Sequence, residues 1–463
     1  MRHSRTVAVA LSLVASASGI AQTPARETPP KAGTPKETRL PKKHEFTLAN
    51  GMQVTFIPFG TIPKTNMTLV IRAGNVNESA NQLWLADLMG DLMREGTSTR
   101  TATQISETMA GMGGGLGVGV QPDQMTVASE VLSEFAPNAL AIIADVAMHP
   151  AFPEKELARL KTARVRQVAI QRSSAGALAR EQYSAAVYGD HPYGRIYPTE
   201  QLLQSYTIDQ VKAFYAANVG AARAHLYVAG VFDQAAMEKT VRQLFADWAR
   251  GPAPVTNVPA TTAKRGVMLS DRPNAVQSAV VIGLPVAVNP SSSDYTTFVV
   301  TNELLGGAFG SRITSNIREQ KGYTYSPFSS ISTHYHDANW SESADVTTAV
   351  TGASIREIFG EITRLRNEAP TADELRAIQN GMVGTFTLQN ATRGGLIGQL
   401  AFVNLQGLGD DYLTGYVGRV LGVTPADVQR TAQKYLDPSK MVIAVVGDKK
   451  TVEAQLAPWT TVP

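Results

Sequence analysis

The chain of 463 residues contains no cysteine. That absence excludes disulfides, thiolate metal sites and an amino-terminal cysteine for lipid attachment, so the fold must rest on packed cores. Charge is sparse, at 17% of residues, and balanced in sign: 42 basic and 39 acidic residues leave +3, which falls to +1 once Arg2 and Arg5 are removed with an amino-terminal leader. Such a balance implies neither a nucleic-acid nor an acidic-membrane partner. Past the leader, no apolar run reaches the roughly 20 residues that a spanning helix needs. Two catalytic signatures are missing as well. The glycines between Gly111 and Gly119 lack the G-K-[ST] ending of a phosphate loop, and no G-x-S-x-G elbow presents a serine nucleophile.

What is present begins with a basic "MRHSR" and an apolar "TVAVALSLVASASGIA" that ends in small residues. This pattern predicts a signal peptide over residues 1–21, and hence an exported, periplasmic protein. Residues 22–43 are rich in Pro, Thr and Lys without apolar periodicity, which predicts an extended tether. From His44, "HEFTLANGMQVTFIP" carries two apolar-alternating runs around Asn50-Gly51, a hairpin signal. A strand pattern, "NMTLVIRAG", leads to "LADLMGDLMREGT", where Leu85, Leu88, Met89 and Leu92 mark the buried stripe of a helix.

A Pro-rich linker at 251–264 divides the chain into units of 44–250 and 265–463. The two sides repeat each other. Helix, turn and strand run from Thr207 to Gly230 and again, at the same spacing, from Thr424 to Gly447, each followed by a helical pattern and a tryptophan, Trp248 and Trp459. Strands and helices mix without regular alternation, so each half is expected to be an α+β unit with a mostly antiparallel sheet flanked by helices.

Three segments together, "AGNVNESANQLWLADLMGDLMREGT", "HPYG" at His191–Gly194 and "LLGGAFGSRITSNIREQKGYTYS" at 304–326, resemble the M16 (pitrilysin/insulinase) metallopeptidase family in its two-half M16B form. The resemblance implies the LuxS/M16 metallohydrolase-like fold. In active members the helix carries H-x-x-E-H: two histidines bind zinc, the glutamate activates the metal-bound water, and a more distant glutamate completes the ligand set. Aligned on its flanks, this chain has Asp87 and Asp91 at the histidine positions, Gly90 at the catalytic glutamate and Gln167 at the distal ligand. All four depart from the pattern, so no metal and no catalytic residue are expected at this chain's own site. Read without the family, Asp87 and Asp91 share one helix face, where Asp91 can pair with Arg94.

The resemblance assigns Arg318 and Tyr325 to the pair that binds substrate beside the zinc of a facing half. A guanidinium can fork onto peptide carbonyls, and a phenol can donate to the oxyanion of a tetrahedral intermediate. By spacing alone, Arg318 reads as a helix ion pair with Glu319 and Tyr325 as a half-buried strand residue. The glycines 111–119 match either the family's peptide-accepting edge strand or a flexible turn. His334 and His336 are expected on one strand face, as ordinary polar residues without a third ligand, and His191 as a structural turn residue.

The function expected is that of a non-catalytic subunit of an exported heterodimeric peptidase, binding peptide substrate while an H-x-x-E-H partner holds the zinc. The alternatives are a non-proteolytic scaffold on the same fold and, last, a hydrolase using Asp87 and Asp91 with another cation.

Overall fold

The computed structural model describes residues 39–261 and 264–460. The leader and all but the end of the tether lie outside the described residues. Of the first half, β1 (His44–Thr47), β2 (Gln53–Pro58), β3 (Lys64–Ile71), β4 (Gly117–Val120), β5 (Met125–Leu132) and β6 (Ala224–Gly230) form a sheet of order β1-β2-β6-β3-β5-β4. Of the second, β7 (Gly266–Asp271), β8 (Gln277–Pro285), β9 (Phe328–His334), β10 (Asp337–Thr347) and β11 (Val442–Gly447) form one of order β7-β11-β8-β10-β9. Neighbours run antiparallel except β2 with β6 and β7 with β11. Omitting β1, the two sheets have one topology, as the repeat predicts.

Helices flank both sheets. The first half carries α1 (Leu85–Met93), α2 (Ala102–Gly111), α3 (Ala136–Met148), α4 (Glu154–Ser173), α5 (Ala175–Tyr188), α6 (Glu200–Ser205), α7 (Ile208–Asn218) and α8 (Gln234–Leu244). The second carries α9 (Tyr295–Asn302), α10 (Thr351–Asn367), α11 (Ala372–Asn390), α12 (Arg393–Leu405), α13 (Asp411–Thr414), α14 (Tyr416–Gly422), α15 (Pro425–Tyr435) and α16 (Lys449–Thr460). Thr207 and Thr424, the repeat's landmarks, both cap helices, and Gln210 and Asp427 close the two capping boxes. β6 and β11 both end on glycine because a Cβ at Gly230 would collide with the Lys64 carbonyl and one at Gly447 with the Ser278 hydroxyl.

Each half covers the other. α5 belongs to the first half, yet its Ala179, Tyr183 and Val187 pack on Ala279, Val281, Val442 and Ala444 of the second sheet. In return, Leu396, Ile397 and Leu400 of α12 pack on Ile57, Val70, Tyr227 and Ala229 of the first. Both faces of the central strands are therefore buried, which is why β8 and β11 read as continuous apolar runs rather than alternating ones. Asn50 of the first hairpin is tied down by donating to the carbonyls of Phe245 and Trp248 at 2.8 and 3.0 Å.

One expectation fails here. His334 closes β9, but His336 sits in the two-residue turn before β10 with φ +53°, so the two histidines do not share a strand face. The sequence pattern alternates correctly; the chain simply turns inside it.

Candidate functional site

Helix α1 has no capping side chain of its own. Its first turn is held from outside by Glu78, whose carboxylate accepts from the backbone N–H groups of Trp84 at 3.1 Å and Ala86 at 2.8 Å. Burial pushes the Glu78 carboxyl up to about 8 against these two bonds, and the nearby Asp87 charge pushes the same way. Trp84 enters the helix in the left-handed conformation, φ +63°, uncommon for a bulky residue. Its indole N–H is anchored on the Ile196 carbonyl at 2.9 Å.

Beyond that start, α1 buries the predicted stripe: Leu85, Leu88, Met89 and Leu92 are at most 1% exposed. Asp87 and Asp91 point away from it. Gly90 faces the edge strand β4, where an added Cβ would lie 3.0 Å from Val120 Cγ2 and 3.5 Å from Val118 Cγ1. The close packing that makes a mid-helix glycine tolerable is thus present, and a larger side chain there would have to displace the Val120 methyl.

Between the two aspartates lies a guanidinium. Arg164 of α4 donates from Nε to Asp91 Oδ2 at 2.6 Å, from Nη1 to Asp87 Oδ1 and to Gln167 Oε1, both at 3.2 Å, and from Nη2 to the Asp87 main-chain carbonyl at 3.1 Å. The ring of Trp84 lies 5.7 Å from it. The remaining carboxylate oxygens are also engaged, Asp87 by Asn75 at 2.8 Å and Asp91 by Arg94 at 2.9 Å. Burial raises the Asp87 carboxyl above its usual range despite the Arg164 charge beside it. The zinc site implied by the resemblance takes two imidazoles and a distal carboxylate as ligands, with a glutamate as general base. Here the corresponding groups are two aspartates already bonded to a cation, a neutral amide and a hydrogen atom. These residues do not fit zinc, and among the described residues no group of three or more His, Cys, Asp or Glu could hold a metal.

Arg318 lies in a helical segment, Thr314–Gln320, and Tyr325 in the loop before β9. The Arg318 guanidinium is sandwiched between two rings, 4.5 Å from Phe309 and 4.8 Å from Tyr325, and also meets Glu319 at 3.1 Å, the ion pair that spacing alone suggests. Tyr325 is not half-buried: it is 78% exposed, and Phe309 74%. With Phe328 these are the exposed aromatic side chains of the described residues. Such rings, bare to water around an arginine, have the composition of a contact surface.

A cavity of about 540 Å³ opens between the halves. Glu78, Trp84, Tyr188 and Tyr193 line it from the first half, and Phe328, Ser330 and His334 from the second. It therefore brings the start of α1 and the strand that follows Tyr325 onto one space, although among the described residues neither Arg318 nor Tyr325 hydrogen-bonds to α1. On its wall, His334 stacks on Tyr193 with centroids 3.9 Å apart and approaches Asp123 at 3.6 Å. His191 is a turn residue, as expected: its Nδ1 accepts from the Tyr193 N–H at 3.3 Å, and burial lowers its pKa. Of glycines 111–119, Gly117 and Gly119 lie in β4 at the open end of the sheet, which favours the edge-strand reading over the flexible turn.

Sequence reasoning does not reach Arg164, Glu78, Trp84 or Phe309. For Arg164 a signal exists: in "ARVRQVAIQ" it stands three residues before Gln167, on the same helix face.

Comparison with known proteins gives the family and the fold. Residues 60–198 match the family model described as insulinase (peptidase family M16), and residues 205–382 the one described as the peptidase M16 inactive domain. The uncharacterized zinc protease YmxG of Bacillus subtilis is 24% identical over 353 residues, 74% of this chain and 83% of that protein. An uncharacterized zinc protease of Rickettsia bellii is 24% identical over 71% of this chain and 80% of its own length. The fold is that of a solved peptidase M16 inactive domain from Pseudomonas fluorescens, with TM-score 0.80 and 24% identity over 88% of this chain and 98% of that one. A protease from Helicobacter pylori superposes with TM-score 0.82 and 18% identity over 88% and 100%. On these matches the chain belongs to the M16 peptidase family.

Proposed function

We propose that this chain is the non-catalytic, substrate-binding subunit of an exported heterodimeric zinc peptidase. Its partner carries H-x-x-E-H and the zinc, and this chain supplies Arg318 and Tyr325 to the peptide held there. The observation that supports this reading is an asymmetry. At α1 the zinc-site positions are taken up by internal bonds, with Gly90 where a general base would stand, whereas Tyr325 stands 78% exposed beside an arginine held between two rings. A guanidinium so held is oriented before substrate arrives, which lowers the entropy cost of gripping peptide carbonyls, and an exposed phenol is free to donate to a developing oxyanion. The leader reading places the pair in the periplasm.

The experiment is reconstitution with an exported H-x-x-E-H protein encoded beside this one. The chain alone hydrolyses no peptide; the mixture does. Arg318→Ala and Tyr325→Phe each lower kcat/KM of the mixture, on the order of 100-fold if either group acts on the transition state. Hydrolysis by the chain alone overturns the proposal. Full activity of both variants also overturns it, and leaves the scaffold reading.

A further inference from the structure

We propose that Arg164 is an internal substitute for the zinc ion, a cation of the chain itself that joins α1 to α4 at the point where an active relative would place its metal. Of the residues at the four zinc-site positions, Asp87, Asp91 and Gln167 are those aligned with metal ligands, and the Arg164 guanidinium bonds to all three. The Gln167 contact is local to α4, three residues along, but those to Asp91 and Asp87 cross to α1, 73 and 77 residues away in sequence.

Charge and shape agree with the substitution. Two carboxylates face one planar cation, whose fork of donors suits carboxylate oxygens as an ammonium's point charge does not. The side chains of Arg164, Asp87 and Asp91 are 14%, 19% and 15% exposed, so without Arg164 the Asp87 carboxyl would lose its cation partner in a partly buried place and Asp91 would keep Arg94 alone. The surroundings fit the same account, with Trp84 beside the guanidinium and Asn75 and Arg94 on the outer carboxylate oxygens. The consequence is a site closed to divalent cations in which α1 keeps its place without a metal. Glu78 and Trp84 then keep their places on the wall of the cavity.

The test uses the full chain and needs no partner or peptide, so its failure is separable from failure of the subunit reading. Zinc is titrated by calorimetry into three proteins: the wild type, the variant Asp87→His/Asp91→His/Gln167→Glu, and that variant with Arg164→Ala added. The expected result is no stoichiometric zinc on the wild type, and binding at least about tenfold tighter once Arg164 is removed from the triple variant. Stoichiometric zinc on the wild type overturns the proposal, as does equal affinity of the triple variant with and without Arg164. Thermal melts of single variants give a second reading. Arg164→Ala lowers Tm, Arg164→Lys lowers it less because the charge is kept and the fork lost, and the loss from Arg164→Ala largely vanishes in an Asp87→Asn/Asp91→Asn background. An unchanged Tm for Arg164→Ala overturns the proposal.

Discussion

At position 90 a side chain meets the edge strand. Alanine would favour the helix by about 1 kcal/mol, but its Cβ would stand 3.0 Å from Val120 Cγ2, so that methyl must shift to accommodate it. Gly90→Glu, the change that returns the family's general base, is expected to cost about 1–3 kcal/mol by overpacking, read as a lower urea midpoint, and to produce no peptide hydrolysis. Val120→Ala in the same chain should recover much of the lost midpoint without producing hydrolysis. On the proposed reading, the packing against the edge strand opposes catalysis alongside the ligand set, and reverting the motif's letters one at a time is not expected to restore it.

For α1 as an element, the controlling contact is the carboxylate of Glu78 on its first turn. Its folded-state pKa, about 8, lies above the ordinary 4.5, so the folded chain holds this proton more tightly than the unfolded one. By linkage, the Glu78 contribution is most favourable at and below about pH 4.5, declines as pH rises to about 8, and is flat beyond. Glu78→Gln should remove that part of the decline, so that the difference in denaturation midpoint between variant and wild type changes across this window and is constant above it. A wild-type slope that Glu78→Gln leaves untouched would show the carboxyl to be ionised throughout.

How much of such elements the sequence reveals depends on the range of the contacts. The α1 stripe, the first hairpin and the paired Thr-capped helices are local patterns of spacing and capping, and all are legible. Glu78 on α1, Arg164 across to Asp87 and Asp91, and the turn at His336 are not: each depends on which distant backbone passes nearby, and a single sequence carries little trace of that. Tyr325 shows the same limit from the other side. Its motif reads as family-like, but only the fold places it in water with Phe309 and Arg318 rather than in a sheet.

At the scale of the molecule, the central fact is that α5 and α12 are exchanged between the halves. Among the described residues of the linker at 251–264 none lies in a strand or a core cluster, so a chain nicked there is expected to elute as one particle on size exclusion and to melt in one transition. Dissociation of the nicked pieces would contradict the exchange. Either half expressed alone is a different matter. The first would leave Ile57, Val70, Tyr227 and Ala229 bare, and each large side chain so exposed forfeits about 1.5–3 kcal/mol. The same geometry is that of a swapped pair. Two copies of a single half, each lending one helix to the other's sheet, make a closed swapped dimer, and one added linker turns that dimer into this chain. Two joined copies are free to differ, and here one half holds Arg164 between α1 and α4 while the other presents Tyr325 and Phe309 around Arg318.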